Sequence, residues 1–258
     1  MKIIDAHVHI VEKERNFDKA LTKLLDELKN NSVDYAIVIP DSEQNTECAD
    51  TETVIRLIKG YNHLFALGAY SLWHSSLEKM EEYVYRNLIH GIKLFPGFEP
   101  FCPCDKRLFA LYELCCKSEI PVVFHTWGEG EHAKYTNPAY IEKIAKHFPK
   151  LRIAVAHLFV PKIKYCLQKL LPFKNVYFDI SALASEDVMK KAKEELKFLK
   201  RSIEKYPERF VFGSDYPACS IAQHLRFVRS LNLSENTRRK LLFENAETIY
   251  GLNMSVKL

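Results

Sequence analysis

No apolar run in this chain of 258 residues approaches the roughly 20 residues that a membrane helix requires, so no membrane partner is expected. The N-terminus lacks the charged-then-apolar signature of a cleaved secretory signal, and a cytoplasmic location is expected. Strong charge is missing as well. Thirty-seven Lys and Arg stand against 33 Asp and Glu, a net +4, too mild a field to argue for nucleic acid. No Gly-X-Gly-X-X-Gly follows any strand-like run, which removes the best evidence for a dinucleotide-binding open sheet. No Pro-, Gly- or Ser-rich linker and no compositional break divides the chain, so residues 1–258 read as one domain. Cys102-Pro-Cys104 has no second cysteine pair at zinc-site spacing. Seven cysteines cannot all pair, and reduced thiols are the simplest account.

What is present is 47% hydrophobic and 27% charged, the profile of a globular protein with a substantial core. Short β-rich runs alternate with longer amphipathic ones. Eight runs predict strands: Lys2 to Ile10, Tyr35 to Pro40, Leu64 to Tyr70, Gly91 to Phe95, Pro121 to Thr126, Arg152 to Leu158, Val176 to Ser181 and Phe210 to Ser214. Helices are predicted between them, among them Phe17 to Asn30, Ser75 to Leu88, Lys106 to Ser118, Pro138 to His147 and Glu186 to Tyr206. Ser75 and Glu78 have the spacing of a capping box. The basic stretch Lys190 to Lys205 carries an apolar stripe of Val188, Ala192, Leu196, Leu199 and Ile203, which marks a helix with one solvated face. Strand and helix repeated eight times imply parallel pairing with right-handed crossovers. A single (β/α)8 barrel fits best, with Ser234 to Leu252 as an extra C-terminal helix.

In such barrels chemistry collects at the C-terminal strand ends. His7 and His9 leave the first strand on the same side, about 6.6 Å apart at roughly 3.3 Å rise per residue. Lys93 ends the fourth strand, His125 the fifth, His157 the sixth and Asp215 the eighth. Four histidines and one aspartate around one mouth are donors that suit a borderline divalent ion such as zinc. Such an ion lowers the pKa of its water to about 7. Asp215 is then placed to act as general base and acid, and His157 to hold a developing oxyanion or to donate a proton to it. Each residue also has a plainer reading: core histidines, a helix-capping aspartate, a lysine paired to a carboxylate inside the barrel. His63, His90 and His147 fall on the opposite, stability face, whereas His74, His132 and His224 could overhang the mouth.

The stretches Asp5-Ala6-His7-Val8-His9, Gly91-Ile92-Lys93-Leu94-Phe95-Pro96-Gly97, Val123-Phe124-His125-Thr126, Ala156-His157 and Phe212-Gly213-Ser214-Asp215-Tyr216-Pro217 resemble the amidohydrolase superfamily. The likeness is to its amidohydrolase-related branch of metal-dependent barrel hydrolases. Asn245-Ala246-Glu247-Thr248-Ile249-Tyr250 resembles that family's closing helix. The resemblance implies a metal held by His7, His9, His125 and Asp215, with His157 in a catalytic position or as a further ligand. Zinc comes before manganese, iron or cobalt, and one ion before two. In binuclear relatives a carboxylated lysine bridges two metals, and Lys93 stands where such a bridge or a supporting residue would be.

Two reactions are compatible with the resemblance. One is hydrolysis of a small amide, ester or lactone by metal-activated water. The other is decarboxylation of an unsaturated or aromatic acid, similar to aminocarboxymuconate semialdehyde decarboxylase. A decarboxylase must grip a carboxylate, usually with an arginine. The segment Asp41 to Glu47 is acidic, and the turns Ala182 to Asp187 and Tyr216 to Gln223 contain no Lys or Arg. Lys13, Arg15, Lys106 and Arg107 could bend in from other loops. Hydrolysis is the expected reaction, and a barrel that has lost turnover and serves as a sensor is the reading outside catalysis. Trp127, Phe98, Phe101 and Tyr216 follow strand ends and are expected to wall an apolar pocket for a small molecule. A monomer or homodimer is expected.

Overall fold

The computed structural model describes residues 1–41 and 47–252. Residues 42–46, most of the acidic segment noted above, lie outside it. Nine short strands run in chain order: β1 Ile4–Val8, β2 Tyr35–Val38, β3 Leu64–Ala66, β4 Gly68–Ala69, β5 Ile92–Leu94, β6 Val122–Phe124, β7 Ile153–Ala156, β8 Val176–Asp179 and β9 Phe210–Val211. Every ladder pairing is parallel.

All eight expected strands are there, and one is in two pieces. The third breaks at Leu67, whose N–H turns to Val38 while the next N–H, of Gly68, turns to Gly91. β3 therefore pairs with β2, and β4 with β5, giving two arcs in the order β1-β2-β3 and β4-β5-β6-β7-β8-β9. The ladder does not run unbroken around the ring. The free edge of β1 instead meets the chain beyond β9 through Ala6 N–Phe212 O at 2.9 Å, Asp215 N–His7 O at 2.9 Å and His9 N–Tyr216 O at 2.7 Å. The architecture is an α/β barrel of the TIM type.

Alternation along the strands separates two cores. Ala36, Val38, Ile92, Leu94, Val122, Phe124, Ile153 and Val155 pack under the helices. Ile37, Ile39, Phe65, Phe95, Val123, Ala154 and Val211 form a second cluster that continues to Ala246, Ile249 and Tyr250. By the same two-residue step, His125 shares the face of Val123, and Asp215 shares that of Val211 and Gly213. Lys93 lies between two residues of the outer core. The barrel's inward parity thus carries Lys93, His125 and Asp215, while His7 and His157 reach the same mouth through a register shift in β1 and a left-handed bend after β7.

The helices are α1 Phe17–Asn30, α2 Thr51–Ile58, α3 Leu77–Tyr85, α4 Phe109–Ser118, α5 Pro138–His147, α6 Ile163–Leu170, α7 Glu186–Lys191, α8 Lys193–Lys205, α9 Ile221–Ser230, α10 Glu235–Arg239 and α11 Asn245–Ile249. Three expectations shift. α3 is capped by Ser76, which accepts from Lys79 N at 3.2 Å, while Ser75 accepts from Ser71 N. The expected helix from Glu186 to Tyr206 breaks at Ala192 into α7 and α8, yet its stripe of Val188, Ala192, Leu196, Leu199 and Ile203 is wholly buried. The C-terminal helix starts at its Ser234 cap and is wound more widely over Lys240–Glu244, between α10 and α11. No helix among the described residues is long and apolar enough to cross a membrane. All seven cysteines are free, and Cys102 Sγ lies 2.8 Å from Cys104 Sγ.

Candidate functional site

Five of the sequence-selected residues gather at the C-terminal rim of the strands. His7 Nε2 is 3.4 Å and His9 Nε2 3.5 Å from Asp215 Oδ1. The rings of His7 and His9, of His7 and His157, and of His125 and His157 have centroids 5.1, 5.1 and 5.0 Å apart. One donor atom each from His7, His157 and Asp215 lies within 4.8 Å of the others. These residues, with Lys93, Phe95 and Phe98, line a cleft of about 370 Å³, within the range of small-molecule sites.

The local backbone is bent to make this approach. His157, Leu158 and Phe159 follow β7 with φ of 64°, 50° and 53°, and Asp215 has φ 71°. Left-handed backbone at non-glycine residues costs energy and concentrates at functional sites. Thr126 holds the first of these bends: its hydroxyl donates to Ala156 O and accepts from Phe159 N at 2.9 Å. Gly213 permits the second. A Cβ there would lie 2.5 Å from Asp179 Oδ1 and 2.7 Å from His7 Cβ, so only glycine lets these two residues meet. Asp215 does not cap the following helix, a task that Ser220 performs by accepting from Gln223 N.

The sequence reading missed three of the site's supports. Asp179, at the end of β8, takes a 2.5 Å hydrogen bond from His7 Nδ1. Ser181 Oγ lies 3.1 Å from that nitrogen and 3.0 Å from His157 Nδ1. Asp5 Oδ1 accepts from the backbone N–H of His7 at 3.2 Å and of Ser214 at 2.9 Å, tying the first strand to the last. The signal for Asp179 was available: Val176-Tyr177-Phe178-Asp179 ends an apolar strand on a carboxylate, as the last strand runs on to Asp215.

Electrostatics follow from burial. Burial, reinforced by the Lys93 charge, holds His7 well below the ordinary imidazole range. Burial together with His157 does the same to His125, and burial takes His157 down to about 4. These rings are neutral at pH 7. His9 goes the other way: burial opposes its charge, but hydrogen bonds to Asp215 and Cys48 raise it to about 10. Burial also works against ionised Asp215, and the surrounding histidines overcome it and hold the carboxyl well below its usual range. Burial lifts Asp179 to about 6 and Asp5 to about 7.

These donors fit a divalent ion. With Asp179 accepting from Nδ1, the lone pair of His7 is fixed on Nε2. That atom is buried with no hydrogen-bond partner and lies nearest Asp215. A carboxylate behind a ligating histidine is the usual support of such a ligand. The Nδ1 of His9 is likewise engaged by Ile39 O at 2.8 Å, turning Nε2 to the rim. For His157 the tautomer decides: a proton on Nδ1 directed at Ser181 O makes Nε2 a ligand, while Ser181 Oγ donating to Nδ1 makes Nε2–H a donor.

Other expectations are corrected. Of the aromatic residues proposed to wall the pocket, Phe98 lines the cleft. Trp127 instead packs into the core with its ring edge-on to His157, 6.2 Å between centroids. Tyr216 packs against the same core because its backbone is bonded to β1, and Phe101 is buried against Trp73. Lys93 is fully buried without the carboxylate hydrogen bond expected of a paired lysine. His224 is a satisfied structural histidine, with Nδ1 on Ser220 O and Nε2 accepting from Ala184 N. Arg107 is spent on Asp105, and neither it nor Lys13, Arg15 or Lys106 lines the cleft.

Solved structures share this fold. An uncharacterised TIM-barrel protein of Bordetella bronchiseptica superposes with a TM-score of 0.81 at 18% identity, over 98% of this chain and 99% of that one. Dihydroorotase of Campylobacter jejuni gives 0.68 at 20% identity, over 98% and 84%. A 2,6-dihydroxybenzoate decarboxylase from Rhizobium gives 0.67 at 13%, over 98% and 99%. At these identities the likeness is one of fold. A search by sequence among curated proteins finds no match. The family pattern described as amidohydrolase matches residues 4–252, nearly the whole chain, and the protein belongs to that family of barrel enzymes.

Proposed function

We propose that residues 1–258 form one amidohydrolase-type domain, a metal-dependent hydrolase of a small amide, ester or lactone. The observation that carries this reading is the fixed, partnerless Nε2 of His7 beside Asp215, backed by Asp179. His7, His9, His125 and Asp215 would hold a single divalent ion, zinc by the softness of the donor set. When bound, the ion supplies Lewis acidity and a water that ionises near pH 7.

The chain's own residues do the rest. Asp215, ionised and beside two imidazoles, takes a proton from the attacking water and returns it to the leaving group. His157 donates from Nε2 to the oxygen that gains charge, with Ser181 Oγ donating to its Nδ1, the shorter of the ring's two contacts with Ser181. Asp179 and Ser181 keep His7 in one orientation. Phe95 and Phe98 exclude water from one side.

A second reading, decarboxylation of an aromatic or unsaturated acid, is favoured by one feature: buried Lys93 is a cation in the cleft lining. Metal analysis of protein purified without chelators, then reconstitution with zinc or manganese, tests the centre. A panel of esters, lactones, amides and acids, assayed for acid release and for CO2 release, tests the reaction. Acid release that depends on the metal is the expected result. CO2 release without acid would replace hydrolysis by the second reading.

A further inference from the structure

Lys93 is a residue that the proposed reaction leaves unused. Its side chain is fully buried, and Nζ, which carries three N–H donors, has no hydrogen-bond partner. Burial lowers Lys93 to about 8 against the pull of Asp179, Asp215 and Asp41, which leaves it mainly charged at pH 7, and that charge opposes protonation of His7, His125 and His157. None of these carboxylates reaches Nζ in a hydrogen bond. On one side the ring of Phe95 stands 5.1 Å from it, and its residue lines the same cleft as His157 and Asp215.

An ammonium buried without an acceptor costs several kcal/mol, and a chain that only needed to fill this space would use an apolar side chain. Water can accept from it but cannot balance its charge, and an anionic ligand can do both. A carboxylate suits it better than a neutral carbonyl, because it also compensates the buried positive charge. The adjoining walls, Phe95 and Phe98, suit a flat apolar body.

We propose that Lys93 is the anion receptor of the cleft, so that the substrate is a small aromatic or cyclic carboxylic acid whose carboxylate pairs with Nζ at the reacting end. This rests on the reading of the cleft as a small-molecule active site, and it holds whether the bond broken is a C–O, C–N or C–CO2 bond.

The test uses metal-free protein, so it does not depend on turnover. Benzoate and benzamide have the same shape and differ in charge. Titration calorimetry at low salt is expected to show benzoate binding at least tenfold tighter. Lys93→Met, with its melting temperature checked, should reduce benzoate to the level of benzamide, and Lys93→Arg should restore part of the preference. Equal affinity of the two probes for the wild-type chain overturns the proposal, whether or not Lys93→Met folds. So does a preference that persists in Lys93→Met. In metal-loaded protein, a carbon-13 resonance of a lysine carbamate after labelled bicarbonate is added would overturn it too, because the amine would no longer be a cation. Benzoate preference without any turnover would leave Lys93 in this role and remove only the hydrolase. Metal-dependent turnover of neutral esters with no preference for benzoate would do the reverse.

Discussion

The two ends of the barrel treat buried polar groups in opposite ways. At the N-terminal end Arg209 sends its guanidinium to the carbonyls of Leu171, Phe173 and Val176. Asn175 Nδ2 serves Ala145 O, Phe148 O and Leu151 O, and Asn245 Nδ2 bridges Pro207 O and Phe210 O at 2.7 Å each. Arg152 closes the same end on Glu119 O, Thr248 O and Ile249 O. Tyr250 Oη and Ser118 Oγ, buried without hydrogen-bond partners, are exceptions. At the other end His7 Nε2 and Lys93 Nζ are buried with no acceptor or donor opposite them, and three consecutive left-handed residues, His157, Leu158 and Phe159, bend the chain, whereas those of the base, such as Ser32, Asn87 and Glu119, stand singly after helices. One end spends its polar groups on holding strands and helices together. The other withholds them, which is tolerable only where something else is to be bound.

The largest expected consequence is a separation of activity from stability. Asp215→Asn should lower kcat/KM about 10³-fold, ~4 kcal/mol of barrier, while the melting temperature does not fall. Steady-state rates and thermal melts on the same preparation check it. A variant that melts early and keeps its rate would erase the contrast between the ends.

The reverse experiment follows at the base. Arg209→Ala strands three carbonyls, and each buried orphan costs about 1–3 kcal/mol. A loss of about 3 kcal/mol in urea unfolding is expected, with kcat of the folded fraction within about twofold of wild type. An unchanged midpoint would show that these bonds do not carry the base.

Asp179→Asn sharpens the contrast inside the mouth itself. It leaves the ligand His7 in place and weakens only the group that orients it. Metal affinity should fall about 10- to 100-fold, or ~1.4–2.7 kcal/mol, measured by chelator competition. An affinity that does not move would make Asp179 a bystander.

The same contrast explains what could be read in advance. His7, His9, His125, His157 and Asp215 were legible because each ends an apolar run; the two-residue step of a strand fixes the direction of His125, whereas the register shift before Val8 and the left-handed bends at His157 and Asp215 were not readable. The helix boundaries of α1 and α5 were legible from their apolar spacing. Asp5 and Asp179 were passed over because a carboxylate beside a histidine motif draws attention only once its partner is known, and Asp179 and His7 are 172 residues apart. The break at Leu67 depends on which neighbour each N–H chooses, a choice made by tertiary pairing and not by the residues between Leu64 and Tyr70. Trp127 and Tyr216 were misplaced because position after a strand end says nothing about whether a ring faces the cleft or the core. Lys93 could be located but not interpreted, since its meaning lies in an acceptor that is not there.

The smallest effect concerns the proton that occupies the mouth when no ion does. His9 is raised to about 10 by Asp215 and Cys48 against the pull of burial, so below that pH its ring is charged in the metal-free chain. A ligating imidazole must be neutral, whereas Asp215, held well below its usual range, is already ionised. Binding at pH 6, where the ion's water is still neutral, should therefore expel one proton, and affinity should rise about tenfold, ~1.4 kcal/mol, for each unit of pH up to about 7 and more steeply above it as that water ionises. Calorimetry in buffers of different ionisation enthalpy counts that proton directly. His9→Gln, which keeps a polar side chain but cannot titrate, should bind more weakly at pH 6 and without proton release. If wild type and variant release the same number, His9 is not among the groups that the ion displaces a proton from, and the mouth's protonated ring belongs with the satisfied groups of the base.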